Sequence, residues 1–63
     1  MENKIREKRV KLGMTQEELA EKSGISRQTI NALENGKVNN VMMATMVSIA
    51  RALESTVDKI FLL

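Results

Sequence analysis

Apolar residues recur along this chain every three or four positions, with polar and charged residues between them. That interval is one stripe per helical turn, whereas a half-buried strand would alternate every second residue. Caps and breaks divide the pattern into five helices. A first helix over about residues 3–12 carries Ile5, Arg9 and Leu12 on one stripe, and Gly13 stops it. A second starts at Thr15, where Thr15 and Glu18 have the spacing of a capping box. It turns Leu19 and Ala20 inward and stops near Ser23 and Gly24. A third, with Ser26 as N-cap, reaches Asn35 and Gly36. A fourth over about residues 40–53 places Met43, Met46, Ile49, Ala50 and Leu53 on its apolar face. A short fifth, from about Thr56 to Phe61 or beyond, carries Val57, Ile60 and Phe61. The expected fold is all-α.

Composition narrows what such a bundle can do. Sixty-three residues are expected to form a single domain with a modest core. Cys and His are both absent, so thiolate and imidazole metal sites are excluded, and no cofactor is expected. The charged first residues do not resemble a secretory leader, and no run approaches the ~18 apolar residues of a membrane span. A cytoplasmic location is therefore expected. Net charge is only +2, but residues 1–37 hold eight basic and six acidic residues, against two of each in residues 38–63. This asymmetry favours a polyanion partner and is also compatible with a solvated helix face.

The second and third helices carry the functional signal. Leu19 and Ala20, then Gly24-Ile25, then Ile30 and Leu33 describe two short helices that must cross steeply at a tight turn. Small Ala20 lets the third helix approach, and Gly24 can take a positive φ. At 100° per residue, Ile30 and Leu33 point inward while Gln28, Ala32 and Asn35 lie nearly opposite, with Asn31 beside them and Arg27 at the N-terminal flank. Asn and Gln can bridge adenine, Arg can bridge guanine, and Thr29 can offer a methyl to thymine. An ordinary exposed helix would also be polar. Gln16 opens the second helix, where free N–H groups suit a phosphate oxygen or simply begin a helix. Asn35 and Lys37 can grip a phosphate at the far end.

These motifs resemble the Xre/Cro-type, lambda repressor-like helix-turn-helix family across residues 5–61. LGMTQEELAEKSGISRQTI (residues 12–30) is similar to its consensus, ENGK (34–37) to its helix 3 signature and IARAL (49–53) to its fourth helix. The resemblance implies a five-helix DNA-binding domain and a transcriptional regulator. It implies base contacts from Arg27, Gln28, Thr29 and Asn31, with Ala32 near the groove floor, and phosphate contacts from Gln16 and Asn35. It also implies an Arg9–Glu34 pair, which the helical wheel supports because Glu34 lies near Ile30. The chain departs from the family at Val41-Met42-Met43, where Pro-Ser-Leu is usual after a loop one residue shorter. It departs again at Glu54, a common glycine position, which predicts a different cap for the fourth helix, and at Lys59, where a capping acid is usual.

The expected partners are double-stranded DNA and a second copy of the chain, with no membrane and no evident small-molecule effector. Operators of this class have two half-sites about 34 Å apart, and one small domain reads one. Ile60, Phe61, Leu62 and Leu63 are expected to be left over for a dimer contact, together with Met42 of the fourth helix. Five methionines serve as core filler or as an adaptable partner surface. An enzyme is not expected, since a bundle this small offers little concavity. A protein-binding module is the competitor from another class, but an abandoned groove face should carry acids or bulky apolar groups. RNA binding comes third, because no aromatic platform is available.

Overall fold

In the computed structural model, which describes residues 2–61, five helices surround one apolar cluster. They are α1 (Ile5–Lys11), α2 (Gln16–Ser23), α3 (Arg27–Glu34), α4 (Met43–Ala52) and α5 (Val57–Ile60). The cluster draws Ile5 from α1, Leu19 from α2, Ile30 and Leu33 from α3, and Met46, Ile49 and Ala50 from α4, closed by Met14, Leu53, Ile60 and Phe61. Apart from Met14, which lies between α1 and α2, these are apolar positions that the sequence pattern assigns to the helices, so the periodicity is the main cause of the packing. Among the described residues no helix is long and apolar enough to cross a membrane.

The helix starts follow from local chemistry. Thr15 Oγ1 accepts from Glu18 N–H at 3.0 Å, and the Glu18 carboxylate accepts from Thr15 N–H at 2.9 Å, completing the capping box. Ser26 Oγ accepts from Thr29 N–H at 3.1 Å and starts α3. Met42 occupies the N-cap position of α4 with extended backbone and has no side-chain oxygen to offer. At α5, Thr56 forms no side-chain cap bond; its hydroxyl pairs with Asp58 at 2.6 Å.

Several boundaries differ from the sequence expectations. Asn3 precedes α1 rather than starting it, forming an isolated antiparallel bridge with Phe61. Its side-chain amide donates to the Leu33 carbonyl at 2.8 Å, and Lys4 N–H donates to the Ile60 carbonyl at 2.7 Å. The two ends of the chain are thereby joined beside the end of α3. Leu12 is 37% exposed and Met43 is 59% exposed, so neither belongs to the core stripe assigned to it. α4 begins three residues later than expected, and Val38 and Val41 of the preceding loop pack on the core instead. The largest correction concerns the C-terminal apolar run. Ile60 and Phe61 are 2% and 0% exposed within a single chain, so their side chains are spent on its own core and leave nothing for a second copy. Leu62 and Leu63 lie outside the described residues.

Glu54 overturns another expectation. The end of α4 is built as a glycine would build it: Glu54 takes φ +55°, its N–H bonds to Arg51 O at 3.0 Å, and Ser55 N–H bonds to Ala50 O at 2.9 Å. Those two bonds are the Schellman closure, made here by a residue with a Cβ in the left-handed region.

Candidate nucleic-acid interface

The geometry of the site begins at the α2–α3 turn. Gly24 ends α2 at φ +73°, and a Cβ added there would meet nothing within 4 Å. The glycine therefore serves backbone conformation, not close approach. Ser23 Oγ stiffens the turn, donating to Leu19 O at 2.7 Å and accepting from Ile25 N–H at 3.2 Å. With α2 and α3 held this way, Ile30 and Leu33 are buried while Arg27, Gln28, Thr29 and Asn31 are exposed. Ala32 is half-buried at the margin of that face.

Gln16 is the first residue of α2 and meets α3 across the turn. With Arg27, Gln28 and Asn31 it lines a shallow, open depression. Four of the expected DNA-contacting residues are thus brought to one place. Asn35, the C-cap residue of α3, joins them by donating to Asn31 Oδ1 at 3.0 Å and to Asn31 O at 2.9 Å. Thr29 is exposed, but its hydroxyl already accepts from Ser26 at 2.8 Å. Lys37 is also exposed, and its N–H helps close α3 by bonding Ala32 O at 3.0 Å.

Behind this face sits the Glu34 carboxylate, whose side chain is 0% exposed. Arg9 approaches it with two parallel bonds, Nε to Oε2 at 2.8 Å and Nη2 to Oε1 at 3.1 Å, and spends Nη1 on Met14 O at 2.8 Å. Such fork geometry is the strong form of an arginine–carboxylate contact. Arg6 Nε adds a bond to Oε1 at 3.1 Å, and Gln16 Nε2 adds another at 3.2 Å. Burial pushes the Glu34 carboxyl up, but the bonds from Arg9, Arg6 and Gln16, with the charge of Arg9, hold it below the ordinary carboxylate range. The bond to Glu34 raises Arg9 against the opposing effect of burial. The expected Arg9–Glu34 pair thus ties α1 to the end of α3.

Arg6 was not anticipated. Its side chain is 56% exposed, and its guanidinium bonds Asn35 Oδ1 at 2.9 Å as well as Glu34. A signal was available, since Arg6 lies three residues before Arg9 and so on the same side of α1.

An all-helical bundle with a stiff turn and a polar, outward second helix defines a helix-turn-helix protein. A family model described as helix-turn-helix matches residues 5–60. The chain is 45% identical over 62 residues to an uncharacterized HTH-type transcriptional regulator of Archaeoglobus fulgidus, covering 98% of this chain and 87% of that one. It is 48% identical over 64 aligned positions to another from Methanothermobacter thermautotrophicus, covering 100% and 91%. A third such regulator, YgzD of Bacillus subtilis, is 36% identical over 62 residues, covering 97% and 91%. The chain belongs to the Xre/lambda repressor-like helix-turn-helix family of transcriptional regulators.

Proposed function

We propose that this protein binds double-stranded DNA sequence-specifically and regulates transcription, with α3 in the major groove. The observation that carries the reading is the division of α3. Its core-facing positions, Ile30 and Leu33, are apolar, while its exposed side gathers Arg27, Gln28, Thr29 and Asn31 beside Gln16. Those side chains have the donor and acceptor sets that distinguish base edges in a major groove. In this reading Ala32 lies close to the groove floor, and Gln16, Asn35 and Lys37 hold the phosphate backbone and set the register.

The protein acts in the cytoplasm as a homodimer on a two-fold operator, since one recognition helix reads one half-site. With Ile60 and Phe61 committed to the core, the contact between copies draws on the outward Met42, which is 74% exposed. No cofactor or effector enters the scheme.

The test is a pair of salt titrations, on a selected site and on random DNA. Gln28→Ala should cost about 1–3 kcal/mol on the selected site and little on random DNA. Lys37→Ala should weaken both and lower the salt slope by about one unit per protomer. If Gln28→Ala binds both DNAs as the parent does, α3 is not the reading element.

A further inference from the structure

Three side-chain carboxamides stand in a row between two charged residues. Arg6 Nη2 donates to Asn35 Oδ1 at 2.9 Å, Asn35 Nδ2 donates to Asn31 Oδ1 at 3.0 Å, Asn31 Nδ2 donates to Gln16 Oε1 at 3.4 Å, and Gln16 Nε2 donates to Glu34 Oε1 at 3.2 Å. Arg6 Nε closes the ring on the same Glu34 oxygen at 3.1 Å.

A carboxamide has one accepting end and one donating end, so each of the three has two nearly isosteric orientations. The ends of the row remove that freedom. A guanidinium only donates, so Asn35 must turn its oxygen to Arg6 and its nitrogen to Asn31. Asn31 must then turn its oxygen to Asn35 and its nitrogen to Gln16. At the other end an ionised carboxylate only accepts, so Gln16 must turn its nitrogen to Glu34 and its oxygen to Asn31. Flipping any one amide sets nitrogen against nitrogen or oxygen against oxygen at both of its links.

We propose that Arg6 is a positioning residue for DNA reading: as the charged donor-only end of this ring, it tightens the side-chain orientation of Asn35 and Asn31 and thereby holds the hydrogen-bonding group that Asn31 presents to a base edge. The inference rests on α3 being the reading element. Each ring amide keeps hydrogen-bonding capacity for DNA, because an amide nitrogen has two hydrogens and an amide oxygen two lone pairs. A fixed donor–acceptor order is what a bidentate contact to adenine requires; an amide free to flip would lose that order part of the time. Glu34 orients Gln16 from one end; at the other, the Asn31 backbone carbonyl accepts from Asn35 Nδ2 at 2.9 Å and Arg6 adds a charged donor at the Asn35 oxygen, so that both atoms of that amide are held.

The experiment has two arms, using the whole chain. In the free protein, ¹⁵N relaxation of the side-chain NH₂ groups should find Gln16, Asn31 and Asn35 ordered. Arg6→Ala should loosen Asn35 and Asn31 while Gln16, still held by Glu34, keeps its order; Arg6→Lys, also donor-only, should restore both. In the second arm, bound sequences are selected from a random DNA pool for the parent, Arg6→Ala, Arg6→Lys and Asn31→Ala. Arg6→Ala should flatten base preference about three- to tenfold at the base pair that Asn31→Ala relaxes. Arg6→Lys should keep that preference. An Arg6→Ala protein unchanged in either arm, or a loss that Arg6→Lys does not restore, overturns the positioning role. Should Asn31→Ala itself move no base preference, the DNA-reading assignment of Asn31 falls, and the relaxation arm alone then decides what Arg6 orients.

Discussion

Glu34→Gln removes one charge from the junction of α1, α2 and α3 while leaving the side chain nearly the same size. In the parent, both carboxylate oxygens accept, with four bonds in all coming from Arg9, Arg6 and Gln16. A glutamine there has one accepting oxygen, so at least one arginine bond is replaced by a donor facing a donor, and Arg9 loses its counter-charge. Breaking a fully buried ion pair costs about 3–5 kcal/mol. Arg9 retains 14% exposure and Arg6 retains 56%, which places the expected cost near the bottom of that range, about 3 kcal/mol. A domain of this length has a total stability on the order of 3–9 kcal/mol, so the change removes a third or more of it. At roughly 4–8 °C per kcal/mol for small domains, the melting temperature should fall by about 12–24 °C.

The same side chain fixes a pH dependence, and its sign follows from the direction of the shift. The folded carboxyl of Glu34 sits below its unfolded value, so its contribution is fully present above the unfolded pKa of about 4.3 and is lost as pH falls through the folded pKa. Thermal melts of parent and Glu34→Gln should converge as pH falls below about 4, where the parent also loses the carboxylate. Glu18, lowered by the Thr15 N–H, and Asp58, lowered by the Thr56 hydroxyl, shift in the same direction, so the variant keeps a weaker acid dependence of its own. Circular dichroism melts between pH 3 and 7 measure both effects. A Glu34→Gln protein that melts within two or three degrees of the parent at pH 7, with an unchanged gap at pH 3, would refute the reasoning.

Two further substitutions test local backbone arguments. Met42→Ser supplies the missing N-cap oxygen of α4 at a position whose backbone is already extended, and should stabilise the monomer by about 1 kcal/mol in denaturant titrations run dilute enough that the proposed Met42 contact between copies is not formed; no gain in midpoint there would mean that α4 starts elsewhere. Glu54→Gly relieves a left-handed residue bearing a Cβ, worth roughly 1–2 kcal/mol, and returns part of that as unfolded-chain entropy. A net gain of about 0.5–1 kcal/mol is expected, and a loss would show that the Glu54 side chain contributes more than its strained backbone costs.

The parts that could be read from the sequence are those set by local rules. Helical periodicity located the core of α2, α3 and α4, because each of these helices buries one stripe against a common cluster. The Thr15 and Ser26 caps and the Gly24 turn could be read because each acts within a few residues of itself. The exposed face of α3 could be read because its inward partners, Ile30 and Leu33, fixed the helix rotation. Errors arose where the decision was tertiary. Ile60 and Phe61 looked surplus because nothing in the local pattern says that Asn3 folds back to bridge Phe61 and brings the chain end onto the core. Met43 looked buried because the stripe runs through it, yet Val38 and Val41 of the loop pack on the core while Met43 stays exposed. Glu54 predicts a different cap only if residue preference dictates backbone conformation; an unfavourable residue can still be held at φ +55° when two closing hydrogen bonds and the buried Leu53 require that turn.

The ring of amides was beyond local rules for a related reason. Arg6, Gln16, Asn31, Glu34 and Asn35 come from three different helices or their ends, and each has an adequate local explanation as a surface residue. Their common role follows from the directionality of hydrogen bonds around one buried carboxylate. Directionality is a property of the assembled set: removing one charged end weakens the orientation of the amides nearest to it, while those held by the other end keep theirs. The residues that present a base-reading surface can therefore be named from helical phase, whereas a residue that reinforces the polarity of this surface, Arg6, is identified only once α1 has been packed against the end of α3.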